Sequence, residues 1–338
     1  MIILSIESSC DETSVAVMVD NKVLSHLVFT QIDIHKIYGG VVPEIASRNH
    51  VKHITKLIDL ALKEANVSQD KIDYVAVTKG PGLIGSLLVG INAATAFAFA
   101  NNIPVIGVNH LAGHIYAASI DNELKFPLLA LLVSGGHTEL IYMEDDFKFE
   151  VLGTTLDDAV GEAYDKVART LNLSYPGGPI IDKLAQLGND TYELPRVMLE
   201  KDSLDFSFSG LKSAVINKVH NLNQKGLEVN VNDMATSFQT SVVDVLSAKV
   251  QMALLKYPVK QFVLAGGVAA NKTLRKRLLD DLKDMEVLIP DFQYCTDNAA
   301  MIGSAAFRQL KFNNLNNDYI IKGFSTKQMI NHWFINMI

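Results

Sequence analysis

An α/β protein built from two similar halves is the fold class this sequence predicts, and three observations predict it. Strand-like and helix-like patterns alternate along the chain. A strand-turn-strand opening near the amino terminus recurs in register near the middle. The 338 residues, 49% hydrophobic and 20% charged, suit about two globular domains and exclude collagen-like, coiled-coil and disordered chains.

Residues 2–6 form an apolar strand, residues 8–14 a small polar turn, and residues 15–19 and 23–29 two further strands. After Pro43, Ile45, Val51, Ile54, Leu57, Ile58, Ala61 and Leu62 recur at helical spacing. A strand over 74–78, a helix over 83–100 and a strand over 104–108 follow. Residues 80–120 hold no Asp, Glu, Lys or Arg, so the helix is long enough to cross a bilayer. Its Gly85, Ser86, Gly90, Asn92 and Thr95, and the stop at Asn101-Asn102-Ile103-Pro104, predict a buried helix instead.

Residues 6–18 lie without a gap over residues 131–143. Ser9 falls on Ser134, Thr13 on Thr138 and Met18 on Met143, between apolar segments. A strand over 147–152 and a helix over 157–171 continue the parallel, and after a long helical insertion comes a strand over 261–265. A duplicated strand-strand-strand-helix-strand-helix unit explains this order better than one open sheet. Two such halves side by side would leave a cleft, with both hairpins presenting small turns to a shared ligand.

The formal charge of -7 makes the chain a poor stand-alone nucleic-acid binder, because phosphate neutralisation needs a basic face. Lys272, Arg275, Lys276 and Arg277 form the densest basic cluster and read as one solvated helix face. Cys10 and Cys295 are the only cysteines, which excludes a disulfide framework and a cysteine zinc cluster and fits a reducing compartment. The amino terminus has no basic stretch before its apolar run and meets Glu7, which argues against a secretory signal.

Three glycine-rich turns follow apolar strands: Gly80-Pro81-Gly82, Ser134-Gly135-Gly136-His137 and Gly266-Gly267-Val268-Ala269-Ala270-Asn271. Such turns let a ligand approach the backbone, and none matches the Walker or Rossmann pattern. His110 and His114 stand at i, i+4 spacing, which places both imidazoles on one helix face, either as a chelating pair or as two unrelated histidines. The zinc-peptidase pattern needs a Glu directly after the first His. Leu111 stands there, so that chemistry is disfavoured. Asp297 begins a small-residue helix, as a third ligand or as its N-cap. A His, His, Asp set would suit iron(II) or another borderline divalent ion. Asp165 lies off the apolar face of its helix, Tyr175-Pro176-Gly177-Gly178-Pro179 is a rigid turn suited to a lid, and Asp182 follows Gly178. Asp205-Phe206-Ser207-Phe208-Ser209-Gly210-Leu211-Lys212 reads as a substrate-contact loop or as a loop anchored by two Phe side chains.

These motifs resemble one family. Ile6-Glu7-Ser8-Ser9-Cys10-Asp11-Glu12-Thr13, Val42-Pro43-Glu44-Ile45-Ala46-Ser47-Arg48, Gly80-Pro81-Gly82-Leu83, Asn109-His110 with His114, and Val133-Ser134-Gly135-Gly136-His137-Thr138 carry the resemblance. So do Gly161-Glu162-Ala163-Tyr164-Asp165-Lys166, Tyr175-Pro176-Gly177-Gly178, Phe206 to Lys212, Ala265 to Asn271 and Thr296-Asp297-Asn298-Ala299-Ala300-Met301. The family is that of the bacterial tRNA threonylcarbamoyladenosine transferases, formerly described as sialoglycoprotein endopeptidases.

The resemblance implies a duplicated actin-like ATPase fold, shared with sugar kinases and heat-shock chaperones: two RNase H-like domains with an interdomain cleft. It implies transfer of a threonylcarbamoyl group from its adenylate to N6 of the adenosine beside the anticodon, in tRNAs reading codons that begin with adenosine, releasing AMP. It implies one divalent ion, iron(II) or zinc, on His110, His114 and Asp297. It further implies adenylate binding by Val133, Ser134, Gly135, Gly136, His137, Asp165, Gly178, Asp182 and Asn271. Asp11 and Glu12 are candidates to take the amine proton, or turn caps. The implied partners are tRNA, the adenylate or ATP, an inactive paralogue of the same fold and a small P-loop ATPase, with no membrane and a cytoplasmic location. Competing readings are a sugar-kinase-like phosphotransferase, which would not need the His pair, and a catalytically silent scaffold. The expected division is 1–120 completed by 305–325, then 121–304 with a helical insertion at about 173–258. Ala112 stands where relatives commonly carry an acid, and the tail over 325–338, with Trp333, lacks the usual basic ending.

Overall fold

The protein is described by a computed structural model covering residues 1–197, 202–312 and 321–325. Its contacts divide it into two units: Met1–Leu124 with the described residues from Pro290 onward, and Lys125–Ile289.

The first unit opens with β1 (Ile2–Glu7), β2 (Glu12–Val19) and β3 (Lys22–Thr30), an antiparallel meander. Then come α1 (Ile32–Lys36), α2 (Pro43–Ala65), β4 (Tyr74–Gly80), α3 (Ile84–Asn101), β5 (Val105–Asn109) and α4 (His110–Ala117). The sheet order is β3-β2-β1-β4-β5, with β4 and β5 parallel to β1. Strand period separates its faces. Leu4, Ile6, Val15 and Val17 pack with Ile54 and Ile58 of α2 and Leu87, Ile91, Ala94 and Ala98 of α3 in one core. That face of α3 is buried, while Leu88 and Phe99 are exposed, so the helix lies half-buried on the sheet rather than wholly inside. β2 begins earlier than the polar turn predicts. Thr13 and Ser14 are buried in the strand because the Thr13 hydroxyl meets His50 Nδ1 at 2.7 Å and Ser14 donates to Leu27 O at 2.9 Å.

The second unit repeats the plan with β6 (Leu128–Val133), β7 (Thr138–Asp145) and β8 (Lys148–Thr154), then α5 (Val160–Thr170). Next come α6 (Gly177–Ala185), α7 (Ser209–Gln224) and α8 (Val231–Lys256), then β9 (Gln261–Ala265), α9 (Lys272–Asp281) and β10 (Glu286–Leu288). The order β10-β9-β6-β7-β8 is the first sheet's order with the same strand directions. The duplication extends to register. Ile6 pairs with Val15, and Leu131 pairs with Leu140, the residues matched in the sequence repeat.

The chain then returns to the first unit as α10 (Phe292–Cys295) and α11 (Ala299–Phe312). Residues 290–304, expected in the second half, therefore lie in the first. The reason is packing: α11 covers the sheet face opposite α2 and α3. Ala299 N donates to Ser14 Oγ at 2.9 Å, Ser304 Oγ meets Ser119 Oγ at 2.9 Å, and Gly303 lets the helix approach Met18 and Ser5. Phe324 N donates to Lys79 O at 3.0 Å. Apart from Ser325, the tail over 325–338 lies outside the described residues.

Candidate active site

The His pair is set by the end of β5. Asn109 caps α4, its Oδ1 accepting from Leu111 N at 2.7 Å, so the helix starts at His110 and His114 follows one turn later. The two rings stand edge to face with centroids 4.7 Å apart. Asp297 lies between α10 and α11, and the N-cap role considered for it falls to Asn298, whose Oδ1 accepts from Met301 N at 2.9 Å. Asp297 is thereby free to face the histidines. Its Oδ1 is 3.4 Å from His110 Nε2 and 3.2 Å from His114 Nε2, and one donor atom from each residue lies within 4.8 Å of the others. All three belong to the first unit, so Asp297 does not come from the second half as its place in the chain suggested.

The donor set fits a cation. His114 is buried, its Nε2 standing 3.2 Å from Asp297 Oδ1 and its Nδ1 having no hydrogen-bond partner among the described residues. Burial would pull His110 down, but the charges of Asp297 and Glu7 outweigh it and push the imidazole up to about 10. Burial likewise holds His114 below its usual value, with the His110 charge adding to the effect. Burial would raise Asp297, yet the two imidazoles hold it far below the carboxylate range. Two imidazole nitrogens and a carboxylate oxygen suit a borderline divalent ion such as iron(II) or zinc.

Asp11 and Glu12 sit at the start of β2 on the same sheet edge. Asp11 is buried, and Glu12 Oε1 accepts from Thr30 Oγ1 at 3.3 Å. Burial, then the charges of Asp11 and Asp297, push Glu12 well above the usual carboxylate range.

The remaining predicted residues lie in the second unit. In the Ser134–His137 turn, Ser134 Oγ accepts from Gly136 N at 3.3 Å and His137 N at 3.0 Å, and Ser134 N donates to His137 O at 2.8 Å, so three of the turn's amides are spent on the turn itself. A Cβ added at Gly135 or Gly136 would meet nothing within 4 Å, and neither glycine has a left-handed φ. Neither the fold's space nor its backbone conformation requires glycine there. Gly178 is open in the same way. The other two glycine turns differ. A Cβ at Gly82 would stand 2.7 Å from Ser9 O, and one at Gly266, with φ +91°, would collide with Val133 O. Those glycines serve packing.

Asp165 accepts from Gly177 N at 2.7 Å and so holds the start of α6. Asn271 caps α9 through Leu274 N at 2.9 Å. Asp182 and Asn271 are joined by Gln239, which donates to Asp182 Oδ1 at 3.1 Å and accepts from Asn271 Nδ2 at 2.8 Å. Gln239 was missed because mid-helix Gln carries no sequence signal. Glu7 was missed as well, although an acid closing an apolar strand is a readable anomaly.

The loop from Asp205 to Lys212 is anchored rather than presented. Phe206 and Phe208 are fully buried, Asp157 accepts from Phe208 N at 2.8 Å and Ser209 N at 3.2 Å, and Lys212 pairs with Asp158 at 2.6 Å. On α9, Arg277 is occupied by Asp244 and Asp281, and Arg275 Nε by Ala269 O.

Two five-stranded units of one topology define the class as the actin-like ATPase fold. Solved structures of that shape include the (R)-2-hydroxyglutaryl-CoA dehydratase component A of Acidaminococcus fermentans. Its TM-score is 0.54 at 16% identity, over 92% of this chain and 99% of that one. Full-length HypF in its phosphate- and nucleotide-bound form matches at TM-score 0.61 and 14% identity, over 93% of this chain and 47% of that one. The family profile for tRNA N6-adenosine threonylcarbamoyltransferase matches residues 22–304. A tRNA N6-adenosine threonylcarbamoyltransferase of Staphylococcus haemolyticus is 62% identical over 309 residues, 90% of each chain. The chain belongs to the tRNA N6-adenosine threonylcarbamoyltransferase family.

Proposed function

We propose that this protein transfers a threonylcarbamoyl group from threonylcarbamoyl-adenylate to N6 of the adenosine beside the anticodon of tRNA, releasing AMP. The observation that carries the reading is the convergence of His110, His114 and Asp297 within 4.8 Å, on a chain of this transferase family. A sugar-kinase-like or silent scaffold role would leave that donor set without a purpose.

In the reaction the N6–carbonyl bond forms, the carbonyl–phosphate oxygen bond breaks, and AMP leaves with the bonding pair. A divalent ion held by His110, His114 and Asp297, iron(II) or zinc, supplies Lewis acidity toward an acyl or phosphoryl oxygen. Gly135 and Gly136 leave room for close approach of the adenylate to the chain. The amino end of α5 lies against that turn, with Gly161 N on Ser134 O at 3.2 Å, and its dipole favours the phosphate. Asp182 and Asn271, held by Gln239, and Gly178 complete the proposed adenylate contacts. Glu12, raised by burial and by its acidic neighbours, is suited to take the amine proton, with Asp11 beside it.

The reading includes a paralogue of the same fold and a small P-loop ATPase as partners, and a cytoplasmic setting. The test is reconstitution with the adenylate, unmodified tRNA and both partners, followed by nucleoside analysis. Threonylcarbamoyladenosine should appear with the intact chain and not with Asp297→Ala. Unmodified adenosine under all conditions would overturn the reading.

A further inference from the structure

Glu7 closes β1, is fully buried, and has no Lys or Arg partner among the described residues. Its Oε1 accepts from Ser9 N at 2.5 Å, its Oε2 accepts from Thr78 Oγ1, and Oε2 also stands 3.4 Å from His110 Nδ1. Ser9 Oγ lies 3.1 Å from the same ring nitrogen. We propose that Glu7 is a positioning residue that fixes the His110 tautomer, keeping the proton on Nδ1 and the Nε2 lone pair toward His114 and Asp297. The proposal rests on the metal reading above.

The chemistry follows from the acceptors. A serine hydroxyl can donate to or accept from an imidazole nitrogen, so Ser9 alone selects neither tautomer. A carboxylate only accepts, so Nδ1 facing Glu7 must donate. In the neutral ring that can ligate a cation, the single proton therefore stays on Nδ1 and the lone pair is on Nε2, the nitrogen 3.4 Å from Asp297 Oδ1. Buried carboxylates behind metal-bound histidines orient the ring and raise its basicity in this way. The supports are rigid. Glu7 ends one central strand, Thr78 lies in its parallel neighbour β4, and α4 begins where β5 stops.

The test uses the full chain and cobalt(II) alone as probe, titrated against a competing chelator while the visible ligand-field bands are followed. Glu7→Gln keeps the size of the side chain but offers an amide donor to Nδ1. It should weaken cobalt binding about 10- to 100-fold, while the metal-free variant melts near the unaltered protein. His114→Ala serves as the reference for the metal reading. If His114→Ala abolishes binding and Glu7→Gln leaves it unchanged, the role of Glu7 is overturned and the metal site stands. If His114→Ala changes nothing, the metal reading fails and the proposal with it. Should Glu7→Gln not fold, the unaltered zinc-loaded protein with 15N-labelled histidine decides. Long-range proton–nitrogen spectra should show His110 protonated at Nδ1 and ligated at Nε2, and the reverse assignment would overturn the proposal.

Discussion

The same chemical change at two glycines, one in the Ser134–His137 turn and one packed against it, should give opposite results. Gly136→Ala adds a Cβ that meets nothing within 4 Å, at a residue whose φ is not left-handed. Its stability should therefore shift by less than about 1 kcal/mol, and reducing the unfolded chain's freedom favours a small gain. If an adenylate lies against this turn, the methyl occupies its place. An overpacking cost of about 1–3 kcal/mol corresponds to about 5- to 150-fold weaker nucleotide binding. Gly161→Ala places its Cβ 2.7 Å from Ser134 O and 2.8 Å from Gly135 Cα, both backbone atoms that must move. The same 1–3 kcal/mol, roughly, then falls on the fold and lowers Tm by about 2–12 °C. Calorimetric titration with ATP and scanning calorimetry on both variants separate the cases. Wild-type ATP affinity in Gly136→Ala would remove this turn from the ligand site. A drop in its Tm equal to that of Gly161→Ala would show that the open space has been misjudged.

Asp297→Ala should weaken iron binding by more than about 100-fold and abolish transfer, while α11 keeps its Asn298 cap; full iron occupancy in this variant would exclude Asp297 as a ligand. In metal-free protein, burial pulls His110 down but Asp297 and Glu7 push it up to about 10. A raised folded value adds stability that is complete below about 6.5 and is lost as pH rises toward that folded value. With chelator present, Tm should thus fall on going from neutral to strongly alkaline pH, and a profile that Asp297→Ala leaves unchanged would contradict the pairing. Asp157→Ala removes the acceptor of Phe208 N and Ser209 N and should cost about 1–2 kcal/mol by denaturant titration. With a formal charge of -7, the isolated chain should bind tRNA weakly and lose affinity steeply with salt; tight, salt-insensitive binding would refute this.

The duplicated fold was legible because strand period and helix period are local signals. That the two hairpins share one register was legible too, since a repeat without gaps gives both the same spacing, but the paired residues themselves come from the structure. The return of residues 290–304 to the first unit was not. It depends on Ser14, Ser304 and Gly303 letting α11 close on the first sheet, and contacts between residues so far apart in sequence leave no periodicity to read. For the same reason Asp297 was named as a ligand by resemblance while its unit was misplaced. The three glycine turns looked alike as strings. Only the surroundings of each missing Cβ distinguish Gly82 and Gly266, which are packed, from Gly135 and Gly136, which are open.

Under the proposed function, one repeated hairpin serves two chemistries. Ser9 and Ser134 occupy matched positions after matched strands, and each uses its hydroxyl to organise its surroundings. In the first unit Ser9 Oγ reaches His110 Nδ1, and the next residues are Cys10, Asp11 and Glu12. In the second unit Ser134 Oγ gathers the amides of Gly136 and His137, and the positions matching Cys10 and Asp11 are Gly135 and Gly136. In the proposed function, the acids of the first turn stand near the cation ligands and take a proton, while the glycines of the second, beside a helix amino end, leave room for a phosphate. One topology provides both because each edge lies where parallel strands end and helices begin. There short turns expose backbone and side chains without disturbing the buried sheet. The division of labour therefore rests on two or three side chains in each turn. Giving the second turn an acid by Gly136→Asp should repel an adenylate while leaving the first unit's metal binding intact. Nucleotide titration and metal analysis on that one variant would expose any failure of the assignment.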